Sequence, residues 1–304
     1  MPKAQRNNRQ KIDLPHKKEG RNAGLLLHEK ATFLQSHGIE SPRLHCLILL
    51  SKIVGKSKEY LLAHPELILT PEQVSVFSNQ VLRLLNGEPI AYIIGEKEFW
   101  DHIFLCSPVA LIPRPETELL VEKALDAFEG REVRRFVDLG TGTGAVGITL
   151  AHQWPESHGL LTDISFEALL LAKQNCTKIL GDKHQIFLLC SDWFGCFKTG
   201  FKADVITVNP PYVSIQHIDL LQDNVKRFEP SKALFSRDDS GLFEIKTLFA
   251  KAPNYLSKNG VILCEIGINQ WQDVMKFVKG LNCYRKVNVF KDLSGIERVI
   301  AAWL

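Results

Sequence analysis

Apolar side chains recur at helical spacing through the first quarter of the chain, then give way to short apolar runs separated by amphipathic stretches. Between Ala23 and His37, the positions Leu26, Leu27, Phe33 and Leu34 mark one face of a helix, and Gly38 stands where a left-handed stop belongs. Ser41-Pro42 predicts an N-cap followed by proline in the first turn, opening an apolar helix that ends near Gly55. Ser57 predicts the cap of a short helix through Leu62. Thr70-Pro71-Glu72-Gln73 combines an N-cap, an early proline and a capping-box glutamine, and its helix runs to about Asn86. These elements predict a small helical bundle domain over residues 22–88. No residue cluster in it suggests chemistry, so its expected role is recognition of a substrate.

Residues 89–112 read as a hairpin linker, with short runs of β-formers from Phe99 to Leu111. Pro113-Arg114-Pro115 then opens an amphipathic helix ending at Gly130. Beyond it, strands at 135–139, 160–162, 186–189, 205–208, 261–265, 286–290 and 298–303 alternate with helices. Those helices start at Ala145, at Phe166, around Leu242–Leu256 and at Gln270. Such alternation predicts an α/β sheet with helices on both faces, filling a catalytic domain over residues 113–304.

Composition narrows the class. No apolar run approaches the roughly 18 residues of a membrane span, and the polar start lacks a secretory apolar core, so a cytoplasmic protein is expected. The seven cysteines contain no C-x-x-C pair and read as reduced thiols that mostly fill core. Net charge is +3, but residues 1–21 hold seven Lys/Arg against two Asp/Glu, while the remainder holds 30 against 32. The excess therefore sits in a basic tail, expected to be disordered and at most a weak RNA contact. The slightly acidic body argues against a nucleic-acid clamp. No histidine spacing suggests a metal ligand set, and no metal is assigned.

Asp138-Leu139-Gly140-Thr141-Gly142-Thr143-Gly144 lies where a buried strand hands over to a helix. Glycines there let the backbone pass close to a ligand, at the strand edge where such sheets bind them. Asp163, ending the next strand, can accept both ribose hydroxyls of a nucleoside. Gly142 to Gly147 also satisfies the G-x-G-x-x-G dinucleotide pattern, so these residues alone do not separate a nicotinamide enzyme from a methyltransferase. Asp138 shifts the balance, because an acid beside the ligand repels a pyrophosphate and favours a sulfonium or an amino group.

Asn209-Pro210-Pro211-Tyr212 follows the apolar strand Val205–Val208 and so leaves the sheet at that same edge. Two prolines stiffen the turn and aim its carbonyls. An amide or exocyclic amine has a delocalised, weakly nucleophilic nitrogen. The Asn209 side-chain oxygen and the Pro210 carbonyl can accept its two N–H groups, and Tyr212 can stack on its plane. Chemistry alone leaves a glutamine side chain and an adenine equally open as acceptor.

Glu88-Pro-Ile-Ala-Tyr-Ile-Ile-Gly95, Ile112-Pro-Arg-Pro-Glu-Thr-Glu118, Ser191-Asp-Trp-Phe194, Phe228-Glu-Pro230, Asp239-Ser-Gly241, Glu265-Ile-Gly267 and Asp292-Leu-Ser-Gly295 accompany the two motifs. Over roughly residues 22–304 the chain resembles the HemK/PrmC family, the release-factor glutamine N5-methyltransferases. The resemblance implies a seven-stranded Rossmann-like class I methyltransferase sheet whose last strand is antiparallel. It also implies S-adenosylmethionine as cofactor, with Asp138, Leu139, Gly140, Thr141 and Gly142 at its methionine end. Asp163 would lie at the ribose, Trp193 beside the adenine, and Asn209 near the methyl group. Asn209, Pro210, Pro211 and Tyr212 would grip the glutamine of the Gly-Gly-Gln loop in class I peptide chain release factors, with Asn209, Pro210 and Tyr212 as the catalytic set. Arg114 and Phe99 are expected near the pocket mouth, and Glu229 is expected to pair with a basic residue that orders the loop after Tyr212.

Overall fold

The computed structural model describes residues 21–182 and 184–304, and the chain divides into two compact units at Asn86/Gly87. The basic tail expected over residues 1–21 lies outside the described residues, apart from Arg21.

The first unit contains strands β1 (Arg21–Asn22) and β2 (Ile68–Leu69) and helices α1 (Ala23–Ser36), α2 (Pro42–Val54), α3 (Lys58–Ala63) and α4 (Pro71–Leu85). Arg21, counted above with the tail, pairs with Leu69 across the β1–β2 ladder. Leu26, Leu34, Leu49, Leu50 and Phe77 are buried, so the helical stripes meet as their spacing predicts. Both halves of the Thr70–Gln73 capping box form, and the Ser57 side chain accepts the Tyr60 N–H at 3.1 Å. Ser41 departs from expectation. Its backbone is left-handed (φ 48°) and its hydroxyl caps nothing, although Pro42 still occupies the first turn.

The second unit opens with helix α5 (Ile90–Ile94), inside the stretch read as a hairpin linker. The hairpin itself is β3 (Glu96–Phe99) with β4 (His102–Leu105). Phe99 is fully buried edge-on against Phe104 at 6.0 Å, so it packs core and lines no pocket mouth. A 3₁₀ turn, Pro115–Thr117, leads into α6 (Glu118–Ala127). There follow β5 (Arg135–Leu139), α7 (Ala145–Gln153), β6 (His158–Asp163), α8 (Phe166–Leu180), β7 (Ile186–Cys190) and β8 (Ala203–Val208). Short helices α9 (Asp223–Phe228) and α10 (Ser231–Leu234) precede α11 (Phe243–Lys251), β9 (Leu256–Glu265), α12 (Trp271–Gly280), β10 (Lys286–Lys291) and β11 (Glu297–Trp303).

Seven strands form one sheet in the order β10-β11-β9-β8-β5-β6-β7. The five from β9 to β7 run parallel, and β11 is antiparallel to both of its neighbours, as expected. Alternate residues of single strands feed two cores. Phe136, Val205 and Val261 face one helical layer, while Val137, Ile206 and Ile262 face the other. Each such side chain contributes about 1.5–3 kcal/mol by burial. Leu256, expected at the end of a helix, is the first residue of β9, because α11 stops at Lys251 and Pro253 sits in a following 3₁₀ turn. All seven cysteines are free, with Cys46, Cys106, Cys176 and Cys264 buried. Among the described residues no helix is long and apolar enough to cross a membrane.

Candidate active site

Parallel pairing of β5 with β8 sets Leu139 against Val208, so the glycine loop and Asn209 leave the sheet side by side. Gly140, Gly142 and Gly144 all have positive φ, and a Cβ on Gly140 would stand 3.2 Å from the Trp193 ring. The loop is tied down by its acids. Asp163 accepts the N–H groups of Gly142 (2.9 Å) and Ser165 (2.8 Å), and burial raises its carboxyl above the ordinary aspartate value.

Asp138 is almost completely buried. One oxygen accepts from the Thr141 hydroxyl (2.6 Å) and the Gly147 N–H (3.2 Å), and the other accepts from the Thr207 hydroxyl (2.8 Å). Burial pushes this carboxyl up to about 6, against the pull of those donors. Asp138 therefore builds the loop as well as adding negative charge beneath it. Asp138→Ala strands the Thr141 hydroxyl and the Gly147 N–H and leaves Thr207 only the Val137 carbonyl at 3.4 Å, and is expected to lower unfolding free energy by about 2 kcal/mol or more in chemical denaturation. Asp138→Asn should cost less, because the Thr207 hydroxyl can turn and accept. Equal stability of Asp138→Ala and the parent chain would refute this assignment.

A cavity of about 680 Å³ lies over this edge, lined by Asp138, Gly140, Thr141, Gly142, Asp163, Trp193, Asn209 and Pro211 among others. Three expected site residues are not part of this cavity's lining. The Leu139 side chain is fully buried in the sheet core, so only its backbone serves the loop. Pro210 is buried behind the turn. Tyr212 lines a second cavity of about 330 Å³, together with Arg114, Glu265 and Arg298. Arg114 borders both cavities and forms an ion pair with the buried carboxylate of Glu229, which also accepts the Ile112 N–H at 3.3 Å.

Around the Asn-Pro-Pro-Tyr turn the structure adds residues to which pattern reading assigned no role. Asn209 Nδ2 donates to the Thr117 hydroxyl (3.2 Å), and Thr117 donates to Glu265 Oε2 (2.7 Å). The Tyr212 hydroxyl donates to Glu265 Oε1 (3.2 Å). Burial, reinforced by Glu265, raises the Tyr212 phenol well above its ordinary value, so it stays protonated. Gln270 Nε2 donates to the carbonyls of Tyr212 (3.1 Å) and Gly241 (3.2 Å), while its Oε1 accepts the Gly267 N–H at 2.8 Å. Gly241 has φ +71°, and a Cβ there would lie 2.3 Å from the Tyr212 carbonyl oxygen. Thr117, Glu265, Gly241 and Gly267 all stand in the family-like stretches quoted above; only that wider resemblance marked them. Among the described residues no cluster of three or more His, Cys, Asp or Glu is arranged to hold a metal.

A family model described as "PrmC N-terminal domain" matches residues 26–95, and one described as "Methyltransferase small domain" matches residues 115–228. A protein named release factor glutamine methyltransferase from Bordetella pertussis is 36% identical over 263 residues, which cover 86% of this chain and 95% of that one. The chain belongs to the release factor glutamine methyltransferase family. Another member, from Escherichia coli, is 37% identical over 274 residues, covering 90% of this chain and 95% of its own length. Among solved structures, the hMettl16 catalytic domain in complex with a MAT2A hairpin aligns with a TM-score of 0.51 at 14% identity. That alignment covers 78% of this chain and 83% of the other. At that identity the likeness speaks for the class I methyltransferase fold that the family shares, and for nothing about substrate.

Proposed function

We propose that this chain methylates the side-chain amide nitrogen (N5) of the glutamine in the Gly-Gly-Gln motif of class I peptide chain release factors, in the cytoplasm, using S-adenosylmethionine. The observation that carries the reading is the fixed carboxamide of Asn209. Its Nδ2 is held by Thr117, which leaves Oδ1 as the end that can accept, and Asn209 itself lines the larger cavity. An acceptor at that place suits an N–H₂ group, the reacting group of glutamine.

The cavity fits the cofactor that the fold implies. Its volume of about 680 Å³ falls within the range of small-molecule sites, and a half-buried carboxylate and an indole stand on its walls. Asp163 would hold the ribose hydroxyls, Trp193 would flank the adenine, and the Gly140–Gly142 backbone with Asp138 beneath it would hold the amino-acid end. S-adenosylmethionine supplies, when bound, a methyl group on an electron-poor sulfonium. The chain's own work is to hold the acceptor. Asn209 Oδ1 and the Pro210 carbonyl accept the two amide N–H groups, so the nitrogen lone pair faces the cavity. Their partial negative charge also stabilises the positive charge that develops on nitrogen. Tyr212, pinned by Glu265, would bound the amide plane from the second cavity, which shares Arg114 with the first. No strong base is needed, since methyl transfer leaves a cationic, strongly acidic amide that loses its N–H proton to water.

The test is incubation with methyl-labelled S-adenosylmethionine, a class I release factor, and total RNA in one mixture. Label that enters the release factor and is released by protease is the expected result. Label that survives protease, is lost to nuclease and is recovered on adenine would move the acceptor to an adenine.

A further inference from the structure

We propose that Glu265, acting through Thr117, is a positioning residue that sets which end of the Asn209 carboxamide faces the acceptor. The inference rests on the reading of the site as an amide methyltransferase.

The two ends of a carboxamide are similar in size and opposite in hydrogen-bonding character. With Oδ1 toward the cavity, Asn209 accepts an N–H; flipped, it offers an N–H₂ that repels one. Nothing in the Asn209 backbone chooses between these, so the neighbour at Nδ2 must. That neighbour is the Thr117 hydroxyl, which has one proton to give. A carboxylate is acceptor-only, and Glu265 Oε2 at 2.7 Å takes that proton. The Thr117 oxygen is then left only to accept, and Asn209 must turn Nδ2 to it. The other carboxylate oxygen takes the Tyr212 hydroxyl proton, so one buried side chain sets the polarity on both sides of the motif.

Protonation of Glu265 would allow the chain to run backwards. A carboxylic acid donates to Thr117, Thr117 donates to Asn209 Oδ1, and the amide is presented by its wrong end. Glu265 and Tyr212 line the same cavity as Arg298, Arg114, Glu116 and Glu229. Burial raises the Glu265 carboxyl to about 7, against the hydrogen bonds from Thr117 and Tyr212 and the charge of Arg298, with Glu116 reinforcing the rise. The folded-state value lies above the free one, so the ionised, correctly polarised form appears only as pH rises through about 7.

The experiment compares single-turnover methylation of a release factor by the full chain and by Thr117→Val, Thr117→Ser and Glu265→Gln, at saturating cofactor from pH 6 to 9. A parallel titration reads S-adenosylhomocysteine affinity, and thermal melting reads folding. Thr117→Val should slow transfer by about tenfold or more with cofactor affinity unchanged. Thr117→Ser, which keeps the hydroxyl, should restore most of the rate. The parent rate should rise through about pH 7, and that rise should be absent in Glu265→Gln. Serine no better than valine, or a pH rise retained in Glu265→Gln, would overturn the relay while leaving the methyltransferase reading intact. A parent chain that transfers no methyl group to glutamine overturns both. Should Glu265→Gln melt early, the Thr117→Val and Thr117→Ser pair together with the parent's pH profile decides the matter: serine no better than valine, or a parent rate flat through about pH 7, overturns the proposal.

Discussion

Replacing Asn209 with alanine is expected to slow methyl transfer by about a hundredfold to a thousandfold while leaving cofactor affinity within about twofold of the parent. The size follows from what the side chain does. Its Oδ1 is the one acceptor that a side chain supplies to the reacting amide in the proposed grip, and its orientation is set by the bond to Thr117. An amide nitrogen is a poor nucleophile because its lone pair is shared with the carbonyl. Catalysis then depends on holding that nitrogen in line with the methyl group and stabilising the charge that develops on it. Removing one preorganised partner of this kind costs about 2.7–4 kcal/mol in comparable sites. The alanine variant should still fold, since Asn209 is only half-buried and the prolines after it remain. Single-turnover rates and a binding titration check both halves. A variant that turns over within a few-fold of the parent would remove Asn209 from the catalytic role.

Asp163→Ala should act on the opposite step. It is expected to weaken cofactor binding by about a hundredfold, with a much smaller effect on the transfer rate at saturating cofactor. Asp163 ends β6 at the wall of the larger cavity and already orders the loop through Gly142 (2.9 Å) and Ser165 (2.8 Å). Its loss therefore removes the proposed ribose acceptor and loosens the glycine loop together. Hydrogen bonds to a charged group are worth about 1.5–3 kcal/mol, and the upper half of that range corresponds to the expected fold-change. Asp163→Asn keeps one acceptor oxygen and should fall between. Isothermal titration with S-adenosylhomocysteine reads the effect directly; unchanged affinity in Asp163→Ala would place the ribose elsewhere.

Local signals in the chain were read where one element carries them. The Thr70–Gln73 capping box, the glycine loop after a buried strand and Asn209 at a strand end are each contiguous, and each stands where the pattern put it. Cross-strand pairing then brings the two motifs to one edge, because β5 and β8 are parallel neighbours in which Leu139 stands opposite Val208. What periodicity did not show was long-range polar pairing. Thr117 and Glu265 are 148 positions apart, and their hydrogen bond depends on a 3₁₀ turn meeting the end of β9. Gln270 looked like the start of a helix, yet its side chain bridges Gly267, Gly241 and Tyr212. Ser41 shows the reverse error: the dipeptide suits a cap, but a left-handed backbone puts its hydroxyl out of use. Residues 213–241 carry short helices too brief for apolar periodicity to reveal, and one of them, α10 with its flanking residues Pro230, Phe235 and Arg237, lines the larger cavity.

The central claim is that the acceptor is a glutamine side chain in a release factor, gripped by Asn209 and the turn that follows it. Peptide mapping by mass spectrometry tests it most directly, using a class I release factor before and after incubation with this chain and S-adenosylmethionine. The account predicts one added methyl group on the Gly-Gly-Gln peptide, with fragment ions placing it on the glutamine side chain and none when Asn209 is alanine. A methyl group on any other residue, or an unmodified peptide after prolonged incubation with folded chain, would contradict it.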